Sequence, residues 1–309
     1  MQVPGARRPA PRPYLVLAVG VIAVSSAAIL VSLARAQGVP ALAIAALRMA
    51  VAALVVVPIA LAGCRAEIRG LRGIDVLLAA CSGILLALHF AFWISSLDST
   101  SVMSSVVLVS TNPVFVGIAS ALLLRERPSR GAIIGIAVAM IGATVVGLAD
   151  LRLAGGASVR GDMLALLGAL ALSGYLLIGR RLRKTMSLRL YIAITYLAAA
   201  VTLLAIVGIS STRLSGYPVG GYLWVLLLAA GPQLLGHSSY NWALKYVTAT
   251  FVTVTLLAEP IGATLLAIPV LGQVPAPVRI AGGALILAGV FLAARAEARN
   301  RRIDEAAGK

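Results

Sequence analysis

Ten apolar stretches of about twenty residues run through this 309-residue chain, joined by short connections. They fall at about 14–34, 39–62, 74–97, 101–124, 130–149, 162–180, 188–209, 220–243, 247–271 and 277–295. Roughly 20 helical residues cross the hydrocarbon core of a bilayer. Hydrophobic residues make up 61% of the chain and charged residues 12%, so lipid is the solvent for most of it. The mean hydropathy of +1.01 says the same. Backbone polar groups find no partner in lipid, which leaves helices or closed barrels. Barrel strands need alternating polarity, and none is present, so the expected fold is an all-α integral membrane protein of ten transmembrane helices.

The net charge of +16 invites a nucleic-acid reading, but its distribution argues against one. With Lys and Arg assigned to alternate sides of ten spans, 20 fall on the side of the two tails and 5 on the other, with Arg48 inside a span. That bias predicts a multi-pass protein of the cell membrane with both termini cytoplasmic and no nucleic-acid partner. The first apolar run, after Arg7 and Arg8, is too long for a signal-peptide core and reads as a retained helix. Cys64, Cys81, His89 and His237 have no metal-site spacing, so neither a metal nor another cofactor is expected.

A pattern recurs at an offset of 147 residues without a gap. Leu97, Val107, Pro113, Pro128, Ile133, Gly135, Ala137 and Gly142 return as Leu244, Val254, Pro260, Pro275, Ile280, Gly282, Ala284 and Gly289. The expected organisation is a tail at 1–13, one repeat at 14–149, an extracytoplasmic linker at 150–160, a second repeat at 161–295 and a charged, frayed tail at 296–309. Five spans per repeat is an odd number, so the two five-helix repeats are inverted, an arrangement used by secondary transporters. Gly131, Gly135 and Gly142, with Gly282, Gly283 and Gly289, give spans 5 and 10 small faces. These serve either packing of span 5 on span 10 or a dimer face, so monomer and homodimer both stay open.

Several segments together resemble the EamA family of the drug/metabolite transporter superfamily. They are Ala46-Leu47-Arg48-Met49, Asn112-Pro113-Val114-Phe115, Leu122 to Pro128, Gly161-Asp162, Arg180-Arg181-Leu182, Ala243 to Tyr246, and Glu259-Pro260. The resemblance implies ten helices in two inverted repeats, a central cavity, and export of metabolites or amino acids.

Glu259 lies about ten residues into span 9, near mid-membrane, where a charge faces a cavity or a partner. Pro260 behind it removes a helix hydrogen bond and predicts a bend, as does Pro113 beside Asn112 at the matching repeat position. Glu259 either exchanges a proton and substrate or is tied to neighbouring donors and shapes the bend. Arg48, at similar depth in span 2 and aligned with Thr195, either meets a substrate anion or makes a structural ion pair with Glu259. His89 and His237 are packing residues or titrating groups. Trp93, Tyr175, Tyr196, Tyr240, Asn241 and Trp242 line a cavity for an amphipathic or aromatic solute or anchor span ends. Ser104, Ser105, Ser110 and Thr111 satisfy backbone near the Pro113 bend, while Glu126 and Asp162 read as structural charges at helix ends.

The leading function is a secondary active transporter working by alternating access, with a small solute and the lipid bilayer as partners. It exports a metabolite such as an amino acid, with proton coupling as one option. Uptake or exchange of a drug, purine or sugar derivative is the alternative. The chain has no G-x-x-x-x-G-K-[ST] phosphate loop. An intramembrane enzyme would want paired carboxylates or a Ser/His dyad within the spans, and a channel would want a filter segment; neither pattern is present.

Overall fold

A computed structural model describes residues 12–99, 105, 108–124, 128–154, 159–271 and 277–306. Among these, seven helices are long and apolar enough to cross a membrane. They are α1 (Arg12–Ala36), α2 (Ala41–Gly63), α3 (Gly73–Ser96), α6 (Val159–Leu182), α7 (Leu188–Ile209), α8 (Val219–Ala243) and α9 (Ala249–Val270). The other expected spans appear as shorter described apolar stretches, Asn112–Leu123 in α4, Arg130–Gly142 in α5 and Ile280–Ala293 in α10. In full, α5 runs Arg130–Ala154 and α10 runs Pro277–Ala306. Residues 101–104, 125–127 and 272–276 lie outside the described set, and with them Ser104, Glu126 and Pro275.

Helix starts follow local chemistry. Ser187 precedes α7 and its Oγ accepts from Leu190 N at 3.3 Å, while Thr248 does the same for Phe251 N ahead of α9 at 3.1 Å. Pro40, the repeat mate of Ser187, stands in extended conformation before α2. Asp162 sits in the first turn of α6, where a carboxylate complements the helix dipole.

Two boundaries differ from the sequence expectation. The segment 296–309 was expected to fray, but α10 stays helical to Ala306. Of the expected 150–160 linker, 150–154 and 159–160 are helical, because α5 reaches Ala154 and α6 starts at Val159, while 155–158 lie outside the described residues. Neither stretch holds a proline, so the helices run on past the apolar limit. The connection after α2 also carries a short helix, Arg65–Arg69.

The packing respects the repeat. Helix α3 lies on α6, and its repeat counterpart α8 lies on α1; likewise α4 meets α6 and α9 meets α1. The pairs α2–α7, α4–α9 and α5–α10 map onto themselves when the two halves are exchanged. Large apolar side chains such as Leu54 and Leu123, each 74% exposed, point out of the bundle, as a lipid-facing surface requires.

The glycine faces of α5 and α10 meet each other. A Cβ on Gly142 would stand 2.6 Å from the Gly282 carbonyl oxygen and 2.7 Å from the Ile286 nitrogen. Gly135 stands equally close to Gly289 and Ala293. These glycines therefore serve packing within the chain, with backbones in direct contact. Gly142→Leu should cost at least about 1–3 kcal/mol, because backbone atoms cannot step aside. Gly208→Ala, with nothing within 4 Å of the new Cβ, serves as the control and should stay within about 0.5 kcal/mol. Melting of the two purified variants in detergent measures the difference. Equal melting would mean that the two helices are not in contact.

Candidate functional site

The site starts from two prolines. Pro113 has no N–H for the carbonyl of Val109, and Pro260 has none for that of Leu256. Both helices break there. Thr111 N and Val114 N bond to carbonyls three residues back before the helix resumes at Asn112–Ala119. In α9 the first piece, Ala249–Leu256, gives way through Leu257 and Ala258 to a second, Glu259–Leu271. The breaks, at 110–111 and 257–258, lie 147 residues apart. The bends expected at Pro113 and Pro260 are thus full interruptions, at matching positions of two helices that touch.

A cavity opens beside them, with about 470 Å³ of space between its atoms, including the part open to solvent. Val109, Ser110 and Asn112 border it from α4, and Leu256 and Glu259 from α9. Opposite chemistry comes from α2, α3 and α8 in Arg48, His89, Trp93 and His237, while Val24, Phe90 and Leu172 add apolar wall.

Arg48 is fully buried. Its Nη2 donates to Gln233 Oε1 at 2.8 Å, and its guanidinium lies 4.0 Å over the centroid of the Phe90 ring. Nε and Nη1 have no hydrogen-bond partner in the protein. Glu259 is half-buried and borders the same cavity, but the two charges form no ion pair within 4 Å. The direct structural pair expected as one reading of Arg48 is therefore absent, and the charges face a common space.

The two histidines, 148 positions apart in sequence, come together with ring centroids 6.4 Å apart. His89 Nδ1 donates to the Gly168 carbonyl at 3.0 Å, and its ring stacks on Trp93. That bond ties His89 to α6 as a packing histidine. His237 Nδ1, Trp93 Nε1 and Asn112 Oδ1 are buried without a protein partner.

Tyr175, Tyr240 and Asn241 do not border the cavity. They stand one layer behind it, where Asn241 Nδ2 donates to Tyr175 Oη at 2.5 Å and both tyrosine rings pack on His237. Tyr196, also behind the wall, donates to the Gln233 carbonyl at 3.4 Å. Their depth matched the cavity, but their helix faces point into the packing. Farther along, Arg183 Nε donates to the Asn241 carbonyl at 3.0 Å and Arg180 Nη1 to that of Leu244 at 2.7 Å, closing the end of α8. Burial lowers the Arg183 guanidinium below its ordinary pKa. At the surface, the hydrogen bond to Asp75, at 2.8 Å from Arg72 Nε, raises that of Arg72.

Sequence reasoning missed Gln233. The signal available was Gly231-Pro232 inside an apolar span: α8 runs as a π-helix over Ala229–His237, around that proline. Among the described residues, no three His, Cys, Asp or Glu side chains group to hold a metal.

The pattern of the EamA-like transporter family matches residues 12–148 and 159–295. The chain belongs to that family. Its similar relatives carry transporter names. A probable terminal-alkyne amino-acid exporter of Streptantibioticus cattleyicolor is 28% identical over 204 residues, 66% of this chain and 67% of that protein. An uncharacterized transporter of Clostridium kluyveri is 23% identical over 228 residues, 72% of this chain and 73% of that one. A solved crystal structure superposes with a TM-score of 0.74 at 22% identity, covering 93% of this chain and 98% of the other, so the two share a fold. In this EamA-like chain the cavity lies where helices of both matched segments meet.

Proposed function

We propose that this EamA-like protein is a secondary active transporter that exports a small metabolite of the amino-acid class by alternating access. It spans the cell membrane ten times in two inverted five-helix repeats, 14–149 and 161–295, with both termini cytoplasmic. The observation that carries the reading is the cavity at the paired helix breaks, with Arg48 and Glu259 on its wall. Charges at that depth are stable only against a partner, water or a solute. Interrupted helices near the midplane are where secondary transporters bind. The exporter name of the Streptantibioticus relative supports the solute class. The two matched segments rock about the shared cavity, and the glycine-packed α5–α10 pair holds one against the other.

Counterflow tests this. Purified protein in vesicles preloaded with unlabelled L-leucine should accumulate labelled L-leucine transiently above equilibrium, with saturation. Linear flux without an overshoot would mark a channel, and no flux for any of a panel of amino acids would remove the amino-acid reading.

A further inference from the structure

We infer that the cavity holds both poles of an α-amino acid with an apolar side chain: Arg48, positioned by Gln233, takes the carboxylate, and Glu259 with Asn112 takes the ammonium. The inference rests on the reading of the cavity as a solute site and says how that site recognises its solute.

The donor pole comes first. Arg48 has its charge buried, yet its contacts are a neutral amide and the face of a ring. Neither neutralises it, and the donors on Nε and Nη1 have no protein partner. A buried guanidinium in that state calls for an anion, and a planar carboxylate matches its fork. Gln233 is the informative neighbour. A glutamate there would close a permanent ion pair and use up the charge. A glutamine fixes the guanidinium through one N–H and leaves the charge for a ligand. Gln233 itself is fixed from behind, by the π-turn of α8 and by Tyr196 on its carbonyl.

The acceptor pole lies at the breaks. Glu259 brings a carboxylate, and Asn112 Oδ1 is a buried acceptor without a partner. The carbonyls of Val109 and Leu256 lose their usual donors to Pro113 and Pro260. An ammonium has three N–H groups to place, and this wall offers it the Glu259 carboxylate and the Asn112 Oδ1 as acceptors. On the rest of the wall, Val24, Phe90 and Leu172 suit an aliphatic side chain better than a polar one.

The test uses the full chain purified in detergent and three probes of one shape. These are L-leucine, L-leucinamide, which lacks the carboxylate, and 4-methylpentanoate, which lacks the ammonium. Calorimetry should show L-leucine bound at least about tenfold more tightly than either analogue, the ratio expected for losing one charge-assisted contact of about 1.4 kcal/mol. Gln233→Met, which removes the positioning bond, should bring the preference for L-leucine over L-leucinamide towards one. Gln233→Glu should weaken L-leucine at least as much while its melting temperature holds or rises. A merely structural Gln233 would lower melting in Gln233→Met and leave the preference unchanged, which would overturn the inference. Equal binding of L-leucine and L-leucinamide by the unaltered protein, or binding of none of the probes, would overturn it too. Counterflow of any solute by that same protein would still leave the transporter reading standing.

Discussion

Arg48→Ala should fold and should lose transport. In vesicles, solute flux should fall by about a hundredfold, since removing one member of a desolvated charge contact costs about 2–5 kcal/mol. The fold should survive because Arg48 gives the protein little to lose. It makes one hydrogen bond to the rest of the chain, lies over Phe90, and has two donors without a protein partner. Cutting it back removes a buried charge that the bundle itself does not neutralise. Flux measured beside size-exclusion and melting profiles separates the two effects. A variant that folds and still carries solute would show that the guanidinium serves neither binding nor packing. A variant that collapses would make Arg48 a structural residue after all.

Glu259→Gln should separate proton coupling from carriage. Glutamine keeps an acceptor oxygen and the shape of the break but holds no exchangeable acid proton. Counterflow, which needs no proton gradient, should persist with weaker apparent affinity. Accumulation driven by an imposed pH gradient should drop to the level reached without one. Such an outcome would place the coupling proton on the carboxylate that opens the second piece of α9. Unchanged gradient-driven accumulation would end the coupling idea and leave Glu259 as a binding and shaping group. Asn112, its repeat mate, makes the comparison internal: the same break, with an amide in place of the acid.

Much of the frame was legible in the residues. The prolines at 113 and 260 located both helix breaks, because a missing N–H is a property of the residue alone. The glycines of α5 and α10 announced a close backbone contact, though only the folded chain chose contact within the chain. Depth was legible too. Arg48, Asn112 and Glu259 were read as mid-span groups and border the cavity, and so do His89, Trp93 and His237, which were read without a depth. Tyr175, Tyr240 and Asn241 were read as cavity lining or span-end anchors and stand behind it. Counting residues along an apolar stretch gives height in the bundle. It does not give the direction a side chain points around its helix, since a helix apolar on all sides carries no periodic mark of its inner face.

Gln233 shows the limit most plainly. Gly231-Pro232 beside it signals an irregular helix, but nothing in the segment names its partner, and Arg48 lies 185 positions away. The π-turn that presents it depends on how α8 packs on α1 and α2. The chain by itself determined that lipid would be the solvent, that helices would be the response, where two of them would break, and that the pattern would repeat at 147 residues. Those follow from the hydropathy and backbone chemistry of individual residues. Which charges would face one another across a cavity, and which would stay unpaired, was decided by tertiary packing, because a meeting of side chains from distant segments is written in no single segment.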